Sequence, residues 1–180
     1  MKRHLLGISM CAALGACGTV SPLPPPPPFE PPPPPSSPAA AFNAHDFAWS
    51  AEHGAAGIRA QVAFSLDGRR YSCVAQTVIL TPDAPFSRSR MIALYGSADR
   101  AALPVTEVRS RQAARPSSDY SAFVRKSVCD AQNRFAFQGL PAGDWYAIVV
   151  VQPIGGGEQM ALMRRIRTRP GGAIRSVVID

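Results

Sequence analysis

The chain has 180 residues and a formal net charge of +7, with 19 Lys and Arg residues against 12 Asp and Glu residues. This length leaves room for one domain of ordinary size, able to bury a core, together with short terminal segments. Arginine supplies nearly all of the positive charge, because Lys126 is the only lysine after Lys2. A guanidinium suits phosphate and carboxylate partners, although a G+C-rich genome would produce the same arginine bias.

The N-terminus has the pattern of a signal peptide. Basic residues precede an apolar run at residues 5–16, which is too short to span a bilayer as a permanent helix. The sequence Leu14-Gly15-Ala16-Cys17 resembles the lipobox of bacterial lipoproteins. This resemblance implies that residues 1–16 are removed and that Cys17 carries the acyl chains of a stable membrane anchor. Gly18 stands where an inner-membrane retention signal would have Asp, so we expect an outer-membrane lipoprotein facing the periplasm or the outside.

Proline dominates the next segment, residues 17–41. Two five-proline runs within residues 22–38 fix φ and remove backbone donors, which favours polyproline II at about 3.1 Å per residue. We interpret this segment as a semi-rigid spacer, roughly 50 Å long, that holds the following domain away from the membrane. The alternative is a ligand for a proline-binding groove, in which Phe29 and Glu30 would mark the motif.

The number and positions of the cysteines are consistent with an exported protein. Cys11 would leave with the signal and Cys17 would carry lipid, so Cys73 and Cys129 remain. An even pair in an oxidising compartment predicts a structural disulfide, which would stabilise the fold by roughly 4 kcal/mol in the chain-entropy model. A redox-active pair is the alternative, but reactive cysteines usually lie two residues apart. An exported chain rarely meets nucleic acid, and we expect no such partner.

Residues 42–180 have the periodicity of β-strands. Apolar residues alternate with mostly polar ones along the first segment, at Ile58, Ala60, Val62, Phe64 and Leu66. Asp67-Gly68 then supplies a hairpin signal. Further strands are predicted within residues 71–82, 123–129, 134–137, 145–152, 160–168 and 173–180, whereas residues 90–95 could form a strand or a short helical turn. About seven short strands with almost no helical pattern predict an all-β sandwich.

The sequence DAQNRFAFQGLPAGDWYAIVV, residues 130–150, resembles the carboxypeptidase regulatory-like domains. Their marks are an Asp and a turn residue, then Arg-Phe-x-Phe, Leu-Pro-x-Gly and an aromatic strand. Asn133 stands where the family more often has Gly, and both residues tolerate a left-handed backbone. The resemblance implies a transthyretin-like (prealbumin-like or Ig-like) sandwich that serves as an accessory module without catalytic residues. Residues 84–122 depart from the family pattern and are interpreted as an insertion.

The chain contains no recognised catalytic motif. Gly-x-Ser-x-Gly, phosphate-loop and His-Glu-x-x-His patterns are absent, and acidic residues are scattered singly. His45, Asp46 and His53 come nearest to a ligand cluster, but their spacing matches no zinc or calcium pattern. We therefore expect no enzyme activity, no cofactor and no metal.

Two sets of side chains are candidates for contacts. One set shares a strand face and consists of Arg165, Arg167 and Arg169. These arginines could form a docking ridge for an acidic partner, or equally a solvated face that keeps an edge strand from pairing. The other set is aromatic and consists of Trp49, Tyr120 and Phe123. Such aromatics belong more often to a core or its rim than to a sugar platform.

Together these features predict a non-catalytic outer-membrane lipoprotein that acts as a structural or assembly component of a cell-envelope complex or surface appendage. Its expected partners are the membrane, through the lipid anchor, and other envelope proteins. The alternative is a glycan-binding module for peptidoglycan or an anionic polysaccharide. An inhibitor of a hydrolase is a third, less favoured function.

Overall fold

The structure is a computed structural model that describes residues 40–111 and 118–180. The predicted signal peptide, Cys17 and all but the last two residues of the predicted linker lie outside the described residues. In the part of the chain that is described, no helix is long and apolar enough to cross a membrane.

Strands dominate the described residues. The ten strands found there are β1 (Ala56–Val62), β2 (Ser65–Leu66), β3 (Arg69–Ser72), β4 (Thr77–Pro82), β5 (Arg100–Pro104), β6 (Arg125–Val128), β7 (Arg134–Leu140), β8 (Gly143–Pro153), β9 (Met160–Thr168) and β10 (Ile174–Ile179). The helical elements are a 3-10 helix (Ala44–Phe47), α1 (Ala48–Ala51), α2 (Pro85–Tyr95), α3 (Val105–Ser110) and α4 (Ser118–Ser121).

The strands form two sheets. In the small sheet, β1 lies between β10, which is parallel to it, and β7, which is antiparallel. In the large sheet β8 is central: β9 pairs with one of its edges, while β4 and β3 pair in succession along the other. β6 extends the sheet beyond β4, β5 extends it beyond β9, and β2 forms a hairpin with β3. All of the pairs in the large sheet are antiparallel.

The main core lies between the two sheets. β1 alternates as predicted, since Ile58, Ala60 and Val62 are buried while Arg59 and Gln61 are exposed. On β7, Phe135 and Phe137 are both buried and pack edge to face, with their ring centroids 5.9 Å apart. The large sheet contributes residues to the same core, among them Val78, Leu80, Trp145, Val149, Leu162 and Ile166. The predicted all-β sandwich is therefore confirmed.

A second apolar layer covers the other face of the large sheet. α2 and α3 lie against this face, where Met91 and Tyr95 of α2 pack with Tyr146 and Met163 of β8 and β9. Because β8 is buried on both faces, its sequence is apolar at consecutive positions, as expected for a central strand. The architecture is thus two sheets with a partial helical layer on the larger sheet.

Residues 90–95 belong to helix α2, so the strand alternative for this segment is wrong. Pro85 occupies a position in the first turn, where a missing N–H costs nothing. The Ser87 hydroxyl accepts a hydrogen bond from the Ala84 amide (2.8 Å) and donates one to the Pro82 carbonyl (2.5 Å). Gly96 adopts φ 71 and ends the helix in a left-handed conformation. These local signals override the weak apolar periodicity of the segment.

The strand count also exceeds the expected seven. The first predicted strand is interrupted after Val62, so β2 and β3 form a separate hairpin. Its turn is the predicted Asp67-Gly68, with φ values of 50 and 74. β5 lies within the predicted insertion, at residues for which no strand was predicted. It forms there because it adds to the edge of β9, a tertiary contact that local sequence does not reveal.

Candidate functional site

A groove of about 740 Å³ runs along the helix-covered face of the large sheet, between α2 and the segment that contains α4. Its volume lies in the range of small-molecule and oligomer binding sites. The lining residues come from β4, β6 and β8 on the floor and from the helical segments on the walls: Ile79, Thr81, Arg90, Met91, Leu94, Tyr95, Tyr120, Ser121, Val124, Lys126 and Ile148. The groove is therefore mostly apolar, with hydroxyl and cationic groups among its lining residues.

Strand register builds the floor. Side chains on β4 alternate, so Val78 and Leu80 enter the main core whereas Ile79 points to the opposite face. Ile79 pairs with Lys126 on β6 and with Ile148 on β8. Residues that pair directly across antiparallel strands share a face. A row of three side chains across three strands therefore forms the floor.

Helical periodicity builds one wall. Met91, Leu94 and Tyr95 are spaced by three and four residues and lie on the same side of α2, toward the sheet. Ile92, on the same helix, points away and is 51% exposed. The guanidinium of Arg90 lies 5.9 Å from the centroid of the Phe86 ring and contributes a positive charge to this wall.

Two tyrosines contribute polar groups to the groove. The Tyr120 and Thr81 hydroxyls are hydrogen-bonded at 2.6 Å, and either oxygen can be the donor. Burial raises the pKa of Tyr120, and it raises the pKa of Tyr95 to about 12, while the Arg90 charge opposes the increase in both. Both phenols are therefore protonated at neutral pH and can act as neutral hydrogen-bond groups.

The described lining residues of the groove do not include the carboxylates, imidazoles and thiolates that usually perform acid-base or metal chemistry. Among the described residues that line the groove there is no His, Cys, Asp or Glu. Elsewhere in residues 40–111 and 118–180, no three such side chains come close enough together to hold a metal ion. His45 is an exposed residue of the 3-10 helix, and His53 lies beside Gly139 near the end of β7.

The structure places the predicted arginine ridge beside two aspartates. Asp144 and Arg167 face each other in the β8–β9 register, and the Arg167 guanidinium donates to both Asp144 oxygens at 2.9 and 2.8 Å. Arg165 donates to Asp83 at 2.7 Å and also pairs with Asp144 at 3.2 Å. Arg169 lies beyond the end of β9 and is exposed. Arg165 and Arg167 are thus brought together by ion pairs within the chain, and Arg169 lies outside that cluster.

The hydrogen bond from Arg167 is the main cause of the lowered pKa of Asp144. Arg167 nevertheless keeps 68% of its side chain exposed. That these arginines form a docking ridge for an acidic partner stays a prediction.

The predicted disulfide is present between Cys73 and Cys129, whose Cα atoms are 5.7 Å apart. It joins the segment after β3 to the end of β6, and both cysteines are buried. Asn133 adopts the left-handed backbone expected at its position, with φ 59. Its side-chain oxygen accepts hydrogen bonds from the Cys73 amide and the Ser72 hydroxyl, both at 2.8 Å. The turn before β7 therefore supports the disulfide.

The aromatic candidates lie in packed clusters. Trp49 packs against Trp145 with ring centroids 5.1 Å apart. Tyr120 is buried in a cluster that also contains Phe42, Phe47, Phe86 and Phe123. The expectation that these residues belong to the core or its rim agrees with their positions, and Tyr120 in addition contributes to the groove.

Sequence reasoning did not find the groove. Its residues lie on three strands and two helical segments, between positions 79 and 148, and no spacing motif joins them. One available signal was the short apolar run of β4, whose two faces both carry apolar side chains. A strand buried on both faces needs a second covering layer, and the groove lies at the margin of that layer.

No family model and no curated protein matches the chain. Among solved structures, the fold is similar to that of a provisionally assigned carbohydrate-binding protein from Pseudomonas aeruginosa, with a TM-score of 0.57. The two chains are 17% identical, and the likeness covers 78% of this chain and 98% of the other. At this identity the comparison shows a shared fold alone.

Proposed function

We propose that this chain is a non-catalytic glycan-binding module of the cell envelope and that the glycan binds in the groove. The observation that carries the proposal is the composition of the groove, which combines an apolar floor with hydroxyl and cationic groups. A sugar ring has apolar C–H faces and hydroxyl edges. Ile79, Leu94 and Ile148 would pack against the faces, while polar groups such as Tyr95 and Lys126 would hydrogen-bond the edges.

The described part of the groove is lined by no acidic or histidine side chain, which favours binding over hydrolysis. Glycoside hydrolases generally need a pair of carboxylates on either side of the scissile bond. The lining residues within 40–111 and 118–180 offer no such pair. The fold is also shared with a protein provisionally assigned to carbohydrate binding, which favours glycan binding over the predicted assembly role. That assembly role has no support beyond the sequence and stays a prediction.

We further propose that the module is held at the outer membrane by acyl chains on Cys17 and displaced from it by the proline-rich segment. Both parts of this proposal rest on the sequence pattern of residues 1–41. An anchored module would keep its glycan ligand near the envelope, as expected for a protein that contacts a cell-wall or surface polysaccharide.

Binding of soluble hexasaccharides to the full-length chain in detergent, measured by isothermal titration calorimetry, tests the glycan proposal. Leu94→Trp fills the groove, and we expect it to weaken binding by at least tenfold. Ile92→Trp makes the same kind of change on the exposed side of α2 and should leave affinity unchanged. Binding that survives Leu94→Trp would move the site elsewhere, and a lack of binding to neutral and acidic hexasaccharides alike would refute glycan binding.

A further inference from the structure

One edge of the small sheet is formed by β10, which pairs with β1 on one side and with no other strand of the described residues. At the two ends of this pairing, the Ala173 and Ile179 carbonyls accept hydrogen bonds from amides on the β1 side. Neighbouring residues of a strand direct their backbone groups to opposite sides. The backbone groups that point outward along the free edge therefore belong to Ile174, Ser176 and Val178.

This free edge also carries exposed apolar side chains. Val178 pairs with Gln61, an exposed residue of β1, so its side chain lies on the solvent face of the small sheet. Ile174 and Ser176 share this face because they lie four and two residues away on the same strand. Ile174 and Val178 are each 53% exposed. Outward-pointing backbone groups and exposed β-branched side chains are thus combined in three residues.

The strand lacks the features that usually keep an exposed edge from pairing. Proteins protect such edges with Pro, Lys, β-bulges or very short strands. β10 has six residues, the sequence IRSVVI, and a regular register with β1. Its charged residue, Arg175, pairs with the buried Ile58 and so lies on the opposite face of the strand from Ile174 and Val178. Another extended strand can therefore add to this edge.

The edge is complementary to itself. When two copies of β10 run antiparallel with Ser176 opposite Ser176, Ile174 of each copy lies opposite Val178 of the other. The three outward-pointing residues then form hydrogen-bonded pairs, and the two residues of such a pair exchange two backbone bonds. Each exposed apolar side chain gains an apolar neighbour on its own face. A second copy of this chain supplies the whole match through two-fold symmetry.

Other antiparallel registers fit less well. A pair centred on Arg175 would place the two arginines directly opposite each other, which is unfavourable, and would leave Val178 without a partner within β10. Centring on Ser176 instead puts Arg175 opposite Val177 of the second copy. The two arginines are then diagonal neighbours about 7–8 Å apart, where the repulsion between exposed charges is weak.

From this complementarity we infer that the chain forms a two-fold symmetric dimer in which the two β10 strands pair antiparallel about Ser176. The two three-stranded sheets join into one continuous sheet across the interface. The inference goes beyond glycan binding and does not depend on it, because none of the β10 residues lines the groove.

Sedimentation of the full-length chain in excess detergent measures the association. We expect the protein mass, corrected for detergent, to rise from one chain to two as the concentration increases. Val178→Lys places a charge in the apolar pairs and should weaken dimerisation by at least tenfold. Ile154→Lys makes the same kind of change at a side chain that is 62% exposed, in the turn between β8 and β9, and should leave dimerisation unchanged.

A second variant acts on the backbone. Ser176→Pro removes an outward-pointing N–H and leaves the hydrogen bonds to β1 in place, and Pro is tolerated on edge strands. It should also weaken dimerisation by at least tenfold. Circular dichroism of Val178→Lys and Ser176→Pro should match that of the unaltered chain, which separates a lost interface from a lost fold.

Cysteine crosslinking tests the register. Hydrogen-bonded antiparallel pairs have Cα atoms about 5.5 Å apart, within the range of about 4.4–6.8 Å that a disulfide spans. Ser176→Cys should therefore form an interchain disulfide that reductant reverses. Arg175→Cys, one residue away, should crosslink at least tenfold less, because its counterpart is a diagonal neighbour about 7–8 Å away.

Three results would overturn the inference. The first is a chain that stays monomeric across the accessible concentration range. The second is a dimer that persists unchanged in both Val178→Lys and Ser176→Pro, because its interface would lie elsewhere. The third is equal crosslinking of Ser176→Cys and Arg175→Cys, which would show random collisions and not a fixed register. Glycan binding is tested separately by the hexasaccharide titration, so either proposal can fail while the other stands.

Discussion

Asp83 joins three elements through a single carboxylate. It follows β4 and precedes α2, and its side chain is fully buried. The Arg88 guanidinium donates to its two oxygens at 3.0 and 2.8 Å. Arg165 of β9 donates to it at 2.7 Å and the Tyr146 hydroxyl of β8 at 3.2 Å. The N-terminus of α2 is thereby fixed to the two central strands of the large sheet.

We predict that Asp83→Asn lowers the free energy of unfolding by about 3 kcal/mol, because it removes the anionic partner of Arg88 and Tyr146 and leaves Arg165 with Asp144 alone. This is the lower end of the range for a broken buried pair, since Arg88 and Arg165 are partly exposed and can recover water. Urea unfolding measures the change. Asp67→Asn, in an exposed turn, is the control and should change stability by less than about 0.5 kcal/mol. Equal stabilities for the two variants would show that the hydrogen bonds and ion pairs of Asp83 do not stabilise the fold.

A second residue-scale prediction concerns alkaline pH. Burial raises the pKa of Tyr95 to about 12, from an ordinary value of about 10. The folded state therefore holds the phenolic proton more tightly than the unfolded state. This contribution to stability is complete below pH 10 and is lost as the pH rises through 12, by about 2 kcal/mol at pH 12.

Tyr95→Phe tests the contribution because it removes the titrating group and keeps the ring. Its melting temperature should fall less between pH 9 and pH 12 than that of the unaltered chain. Some loss should remain, because burial also raises the pKa of Tyr146 to about 12. Identical pH profiles of the melting temperature for the two proteins would contradict a raised pKa of Tyr95.

Among the secondary-structure elements, the sequence predicted those strands whose apolar pattern reflects the burial of one face. Ile58, Ala60 and Val62 alternate with exposed residues because one face of β1 is buried, and this pattern is visible without a structure. For residues 90–95 of helix α2 the sequence left a strand and a short helical turn as alternatives, because formation of the helix depends on the Ser87 hydrogen bonds and on Gly96 more than on apolar spacing.

The sequence could not predict which distant elements pair with one another. The face shared by Arg165 and Arg167 follows from strand alternation, but their aspartate partners follow from the β8–β9 register and from the position of Asp83 after β4. The groove is a similar case, because Lys126 enters it only through its pairing with Ile79. A sequence pattern predicts the face of a strand or helix on which a residue lies, but not the residues of other elements that it contacts.

The disulfide between Cys73 and Cys129 holds two strands of the large sheet together. It closes a loop over a sequence separation of 56 and connects the ends of β3 and β6. In the chain-entropy model this closure stabilises the fold by about 4 kcal/mol. The double variant Cys73→Ala/Cys129→Ala should lose about that amount in urea unfolding, and reductant should destabilise the unaltered chain but not the variant. A loss below about 1 kcal/mol would show that the sheets hold these ends together without the bond.

At the scale of the whole molecule, the proposed arrangement is an anchor, a spacer and a binding module in chain order. Residues 1–16 would target the chain for export, and residues 17–41 would carry the lipid and the proline spacer. A polyproline II segment needs no folded core, so its length can change without affecting the module. The anchor is the part of this arrangement that one substitution can remove.

We predict that Cys17→Ser moves the protein from the membrane fraction to the soluble fraction of the producing cells and abolishes labelling with radioactive palmitate. The physical reason is that two or more acyl chains bind a membrane stably, whereas a chain without them lacks that affinity. Cys11→Ser is the matched control, because it lies inside the predicted signal peptide and should leave both localisation and labelling unchanged. If Cys17→Ser stays in the membrane fraction, the anchor lies elsewhere in the chain or on a partner, and the division at residue 17 is wrong.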